Sequence, residues 1–380
     1  MRPNLYRRYL MDKIDWSHRL IGIKGARGVG KTTFLLQYAK EHYEECDKKC
    51  LYINLNHFYF TECSLCKFAG MFVKIGGETL LVDQVFKYPE WSQELRKCYD
   101  FYPNLKIIFT GSSVMKLKET NLHIGDIVHS YNLNGFSFRE FIGATTKNDL
   151  PYFTIKQIVN NHRAITHDIL KQVDIDESFK NYIHHGYYPF FFEKRNYSEN
   201  LLKTMNMMLE VDILYIQQIE QNYLSKIRKL FYLLAIQSPV APNVSQLSID
   251  CGISRATVMN YLKYLQDARL INMLYKKGGS FPKKPDMIYM NNTNIMFPTN
   301  RKNVDREALI ETFFYNQVNV SGYANKGERN NQFYVNDTYH FKIELEKRKQ
   351  TKSQSRFVVA DAIQTEESNV IPLWLFGFLY

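Results

Sequence analysis

Residues 25–32 read Gly25-Ala26-Arg27-Gly28-Val29-Gly30-Lys31-Thr32, which satisfies G-x-x-x-x-G-K-[ST] at every fixed position. Glycines at this spacing let the backbone turn tightly, so that successive N–H groups converge on phosphate oxygens. A helix starting here adds partial positive charge at its N-terminus. Lys31 would reach β- and γ-phosphates, and the Thr32 hydroxyl would ligate Mg²⁺. The expected nucleotide cradle is Gly25, Ala26, Arg27, Gly28, Val29, Gly30, Lys31, Thr32 and Thr33, with ATP and Mg²⁺ as its ligands. The alternative is a glycine-rich turn that holds nothing. Context favours the phosphate site, because the apolar run Leu20-Ile21-Gly22-Ile23-Lys24 suits a buried strand and Thr33 to Lys40 is a helical run.

A phosphate loop needs a partner carboxylate. Glu78-Thr79-Leu80-Leu81-Val82-Asp83 is a second strand-like run, and Asp83 closes it, where a Walker B aspartate would hold Mg²⁺ through water opposite Thr32. A third run, Lys106 to Thr110, leads into Gly111-Ser112-Ser113. A hydroxyl there could sense the γ-phosphate and orient a water, and Ser112 is chosen over Thr110 and Ser113.

The elements that position these groups alternate in type. Further strands are expected at Leu51–Leu55 and Tyr131–Phe136, with helical stretches between the strands and a helix opening at Ser137-Phe138-Arg139-Glu140-Phe141. This is the pattern of a parallel sheet with helices on both faces. From Ile155 to about Gln221 the pattern is helical and aromatic, broken at Gly186-Tyr187-Tyr188-Pro189. Helices at Lys226–Gln237, Val244–Asp250 and Ser254–Ala268 follow, the last two separated by Cys251-Gly252-Ile253. A glycine turn between two short helices is a helix-turn-helix arrangement, and strands at Leu270–Tyr275 and Met287–Met290 would form its wing. A final module opens with a helix over Arg306–Val320, with strands at Gln332–Val335, Tyr339–Leu345 and Arg356–Ala360.

A chain of 380 residues, 45% apolar and rich in Phe and Tyr, is expected to form several modules with real cores. Arg2, Arg7, Arg8, Asp12 and Lys13 interrupt every apolar run near Met1, and the run over 371–380 is far shorter than the ~20 residues of a membrane span. A cytoplasmic protein with no membrane partner is the expectation. Four of six cysteines, Cys46, Cys50, Cys63 and Cys66, fall close together. Their loose spacing, across a strand and the start of an amphipathic helix, favours ordinary reduced cysteines over a zinc site. The net charge is +11, and residues 225–284 carry ten basic residues against Asp250 and Asp267. That asymmetry points to a polyanion such as DNA, with a solvated surface or a protein partner as the alternatives. Arg255, Thr257, Asn260 and Lys263, on the second helix of the turn, are the expected nucleic-acid contacts.

With these residues in view, the chain resembles the bacterial and archaeal family of AAA-type P-loop ATPases that carry a C-terminal domain of unknown function. The resemblance rests on Gly25 to Thr33, on Leu81-Val82-Asp83-Gln84-Val85-Phe86-Lys87-Tyr88-Pro89-Glu90-Trp91 and on Phe109 to Ser113. It continues through Gly135 to Phe141, Ile253 to Leu262, and Ile371 to Phe378, which looks like the family's terminal strand. It implies ATP binding and a fold of class α/β: an AAA-like P-loop NTPase sheet over residues 1–145, a helical subdomain over 146–222, a winged helix-turn-helix over 223–290, and a small α/β restriction-endonuclease-like domain over 291–380.

Three departures qualify what the resemblance implies. The family usually has Asp-Glu-Val-His where this chain has Asp83-Gln84-Val85-Phe86, and Gln84 can hydrogen-bond the attacking water without accepting its proton. Gln84 and Ser112 are then the residues left to act on the water, and slow turnover is expected, with Glu90 and Glu94 poorly placed on the following helix. The arginine pair that the family tends to carry before the Tyr131 strand is replaced by Gly125-Asp126-Ile127-Val128-His129. In the last module Asp337 could serve as a first acid, but Lys342 stands at the next acid's position and Glu346 at the lysine's, and Glu344 to Lys347 does not restore the spacing, so this domain is expected to be non-catalytic. The expected function is an ATP-binding switch or slow ATPase, with a nucleic-acid-binding module that keeps a regulatory or vestigial ATPase core as the alternative.

Overall fold

The computed structural model describes residues 6–118, 121–193, 196–299, 304–329, 331–345 and 356–380. The chain divides into two compact units, residues 1–135 and 136–380.

The first unit is a three-layer α/β structure. Its strands are β1 (Leu20–Gly25), β2 (Cys50–Asn54), β3 (Thr79–Asp83), β4 (Lys106–Ser112) and β5 (His129–Asn132), and its helices are α1 (Lys31–His42), α2 (Leu65–Lys74) and α3 (Trp91–Phe101). The strands form one sheet of order β2-β3-β4-β1-β5, parallel throughout. A parallel sheet covered on both faces demands apolar runs without alternation, and Leu80, Leu81 and Val82 of β3 are all fully buried. The order puts β1 between β4 and β5 and sets β3 beside β4, so the C-terminal ends of β1, β3 and β4 open onto one edge. Ser64 caps α2 by accepting from the Lys67 N–H.

The second unit opens with α4 (Phe138–Thr146), α5 (Ile155–Leu170), α6 (Ile175–Asn181) and α7 (Tyr197–Met207). Ser137 with Glu140, and Thr154 with Gln157, form reciprocal capping boxes at the starts of α4 and α5. After α6 the backbone widens into a π turn over Tyr182–Gly186. Widening frees carbonyl groups, and Asn294 takes them: its amide donates to the oxygens of Tyr182 and Ile183 at 3.0 and 2.8 Å, and its own oxygen accepts from the Tyr187 N–H and the Tyr197 hydroxyl. α8 (Leu224–Ala235), α9 (Val244–Cys251) and α10 (Arg255–Asp267) are followed by the antiparallel pair β6 (Ile271–Leu274) and β7 (Met287–Met290). Gly252 ends α9 in the left-handed region at φ 60°, and Ser254 caps α10 by accepting from the Thr257 N–H.

The chain then forms α11 (Thr293–Thr299), α12 (Arg306–Ser321), β8 (Ala324–Lys326), β9 (Gln332–Val335), β10 (Tyr339–Glu344), β11 (Arg356–Ala360) and β12 (Val370–Pro372). The last five strands form a sheet of order β12-β11-β10-β9-β8, antiparallel from β8 to β10 and parallel from β10 to β12. The expectation of a terminal strand from Ile371 to Phe378 is corrected: the strand stops at Pro372, and Leu373–Phe378 is a buried 3₁₀ turn. Proline cannot donate to a neighbouring strand, and the rings of Phe376 and Phe378 pack onto Phe314 and Phe138 instead.

Candidate nucleotide site

β1 delivers the chain to the loop at Gly25, whose backbone runs so close to β5's exit that a Cβ there would sit 2.4 Å from the Leu133 oxygen. Gly28 and Gly30 adopt φ of 83° and 93°, values that any other residue would reach only with strain. These turns bring Lys31 to the first position of α1, with Gly30 as its N-cap residue and the Phe34 N–H bonded to the Gly30 oxygen at 2.9 Å. The Lys31 ammonium donates to the oxygens of Gly25 and Ala26, 2.8 Å each. It is held over the opening of the loop by neutral acceptors, which phosphate oxygens would outcompete.

Asp83 ends β3 and is almost fully buried. Its Oδ2 accepts from the Thr32 hydroxyl at 2.7 Å and from the Tyr52 hydroxyl at 2.9 Å. Its Oδ1 accepts from the Thr110 hydroxyl and, at 3.1 Å, from the Gln84 N–H. Residues from β2, β3, β4 and α1 thus meet on one carboxylate. Burial, and then the charge of Asp83, push the Tyr52 hydroxyl far above its ordinary value, so Tyr52 is the donor in its bond.

Gln84 follows Asp83 in the left-handed region at φ 58°, and its N–H also reaches the Thr110 hydroxyl at 3.0 Å. A non-glycine residue in this conformation is held there by its surroundings, and such positions cluster at functional sites. Ser112 is buried at the end of β4 and pairs in register with Gly25, so it stands beside the start of the loop, whereas Thr110 is the hydroxyl that touches Asp83. Glu90 precedes α3 as an exposed N-cap residue and does not lie within the helix. Glu94 does lie within α3, where it accepts from the Cys66 N–H at 3.0 Å and from Lys97 at 2.8 Å.

Tyr52 and Arg8 carry contacts that the sequence did not single out. Strand alternation places Tyr52 and Asn54 on one face of β2, and that periodicity was the signal for Tyr52. Nothing local marked Arg8, whose guanidinium reaches the oxygens of Val29, Asn134 and Gly135.

Elsewhere the expected residues are placed as follows. Arg255 and Asn260 are exposed on α10, Thr257 shares a hydrogen bond with Ser254, and Lys263 pairs with Asp267 at 2.7 Å. Asp337 pairs with Lys277 at 3.0 Å and accepts from the Tyr323 hydroxyl, and Lys342 pairs with Glu344. Glu346 and Lys347 lie outside the described residues. Cys63 and Cys66 are buried while Cys46 is exposed, and no three His, Cys, Asp or Glu side chains gather to hold a metal among the described residues.

The glycine loop between β1 and α1, facing a strand-end carboxylate across a parallel sheet, defines a P-loop nucleotide-binding fold. Residues 17–142 match the family model of an AAA domain, so this part of the chain is an AAA-type P-loop domain. Residues 176–286 match the model of a domain of unknown function, DUF8612. An uncharacterized protein of Methanocaldococcus jannaschii is 27% identical over 281 residues, covering 70% of this chain and 58% of that protein, so the chain spans little more than half the length of this curated relative. Among solved structures, the Aeropyrum pernix ORC1 protein in complex with DNA aligns over 74% of this chain and 86% of its own at 9% identity and a TM-score of 0.31. Replication initiator DnaA bound to AMPPCP and single-stranded DNA aligns over 67% and 84% at 15% identity and a TM-score of 0.25. Likeness this slight carries no argument about what the chain does.

Proposed function

We propose that the first unit binds ATP with Mg²⁺ and acts as a nucleotide-dependent switch or slow ATPase. The observation that carries this reading is the 2.7 Å bond from Thr32 to Asp83, which joins the end of the phosphate loop to the end of β3. Hard oxygen donors of this kind suit Mg²⁺, so Thr32 and Asp83 fit the ion and would hold it, Asp83 through water. Mg²⁺ bound there would offset phosphate charge. The chain's own part is to wrap the phosphates in the N–H groups of residues 25–33, to bring Lys31 onto them, and to orient a water. Gln84 and Ser112 are the side chains assigned to that water, with Thr110 supporting Asp83. No carboxylate follows Asp83 to take the proton, and Glu94 is held by Cys66 and Lys97, which supports slow turnover.

ATP titration with Lys31→Ala tests the reading. Loss of the ammonium leaves phosphate oxygens under-compensated and should weaken binding about a hundredfold. Unchanged affinity in a folded variant would show that the loop is no phosphate site.

A second reading has its own support. The three helices α8, α9 and α10 with the β6–β7 pair suit a winged helix, and Arg255 and Asn260 stand exposed at the N-terminal half of α10. In this reading the module meets DNA and the nucleotide site regulates it. The last module is read as non-catalytic, since Asp337 and Lys342 are each committed to an ion pair. No helix among the described residues is long and apolar enough to cross a membrane.

A further inference from the structure

Asp83 has no acceptor capacity to spare. An ionised carboxylate offers about four lone-pair sites, and here four donors converge on it: Thr32 and Tyr52 on Oδ2, Thr110 and the Gln84 N–H on Oδ1. A strand-end aspartate that holds Mg²⁺ through water must accept hydrogen bonds from the ion's water shell. One of the four donors therefore has to leave.

The four are not equally free to do so. The Gln84 N–H belongs to the residue next in sequence, and its main chain is held in the left-handed region. Thr110 comes from the interior of β4 and accepts from the same Gln84 N–H, so it is fixed from two sides. Thr32 can present its oxygen to the metal while its O–H still points at Asp83. Tyr52 remains. It comes from β2, the edge strand next to β3, its ring is only partly buried, and its hydroxyl shares Oδ2 with Thr32 at 2.9 Å; its second partner is the Asn54 side chain of the same strand, so releasing it from Asp83 leaves the neighbouring strands in place.

We infer that Tyr52 sets the metal dependence of nucleotide binding, its hydroxyl occupying the Asp83 oxygen that the water shell of Mg²⁺ would need. The inference rests on the ATP reading of the loop. Its consequence is a site that holds ATP mainly through the loop N–H groups and Lys31, with only weak help from the ion. This fits a chain that also lacks a carboxylate at residue 84: a nucleotide kept rather than turned over has less need of the metal.

The experiment measures ATP affinity calorimetrically in EDTA and at saturating Mg²⁺, for the full chain and for Tyr52→Phe, which keeps the ring and removes only the donor. Wild type should show a small ratio between the two affinities. Tyr52→Phe should raise the ratio about tenfold, the size expected when one hydrogen bond to a charged group no longer has to be broken. Mn²⁺, followed by its paramagnetic resonance in the presence of ATP, should bind correspondingly tighter to the variant. An equal ratio in both proteins, or a smaller one in Tyr52→Phe, would overturn the inference while leaving ATP binding intact. Absence of ATP binding by the wild type under both conditions would instead remove the ATP reading itself.

Discussion

The Arg8 guanidinium donates from Nη1 to the carbonyl oxygen of Val29 at 3.0 Å, which ties the segment before β1 to the middle of the phosphate loop. Its Nη2 reaches the oxygens of Asn134 and Gly135 at 2.7 and 3.2 Å, where the chain leaves β5 at the end of the first unit. Arg8 is itself buried, and its guanidinium gives each of these carbonyls a donor. The loop is thus shaped from behind by a cation as well as by its glycines.

Arg8→Met should keep much of the volume and orphan buried acceptors. We expect a loss of about 2 kcal/mol in unfolding free energy, measured by urea titration, and a weaker affinity for ATP because the loop loses its backing. Arg8→Lys should recover only part of either, since one ammonium cannot span three carbonyls as a planar fork does. If Arg8→Met matched wild type in both measurements, the backing role would be excluded.

Gln84→Glu is expected to raise the ATP hydrolysis rate at least tenfold, because a carboxylate at this position can accept the proton of the attacking water. ATP affinity should change little, since the residue's contact with Asp83 is made by its main-chain N–H. A steady-state phosphate-release assay on both proteins checks this. An unchanged rate would place the limiting step elsewhere, with the missing arginine before Tyr131 as the next residue position to test.

The alternating sheet was legible because buried parallel strands announce themselves as apolar runs between turns. The run 79–83 ends at Asp83 as expected, and the phosphate motif marked the end of β1. Strand ends drifted: β4 continues two residues past Thr110 to Ser112, and β5 begins two residues early at His129 and stops at Asn132, four residues short of Phe136. Pairings across long loops were invisible, since no local rule brings Arg8 to Asn134 or Tyr52 to Asp83. Thr110 meets Asp83 while Ser112 stands beside Gly25, and only the register of β4 between β3 and β1 separates these two hydroxyls. α11 was missed because Pro298 lies inside it, and β8 because three residues give no periodicity. The C-terminal run misled for a related reason. Leu373 to Phe378 is apolar throughout, and without polar contrast a strand and a buried turn look alike.

Glu311 supplies a pH dependence in the second unit. Burial pushes its carboxyl up to about 7; the Tyr289 hydroxyl, donating at 3.2 Å, opposes this, and the nearby charges of Glu307 and Asp305 add to it. It lines a cavity of about 340 Å³ with Glu307, Arg329, Lys342 and Glu344. A carboxyl whose value is raised on folding binds a proton in the folded state that the unfolded chain has already released. Its contribution to stability is therefore complete below the ordinary carboxylate range and lost as pH climbs to about 7. Glu311→Gln should remove that slope, gaining on the order of 2 kcal/mol over wild type at pH 8.5 and little at pH 4.5, as read from urea unfolding. Parallel stability curves for the two proteins would show that Glu311 does not titrate as described.

The basic helix module gives a graded prediction because its cations are not equally available. Lys263 is committed to Asp267, Arg228 to Glu210 at 2.5 Å, and Lys277 to Asp337, whereas Arg255 is exposed at the first turn of α10. If the module meets DNA, each phosphate contact releases condensed counterions, and affinity should fall steeply as salt rises. Arg255→Ala should flatten the dependence of log affinity on log salt by close to one unit. Lys263→Ala should change it less, because the Lys263 ammonium is already paired with Asp267 and its loss moves no exposed cation off the helix's first turn. Fluorescence anisotropy with a labelled duplex across a salt series distinguishes the two. Equal slopes for Arg255→Ala and wild type would remove α10 as the contacting helix. A wild type that binds neither DNA nor RNA at low salt would leave the basic surface to a protein partner and the nucleotide switch as the working function.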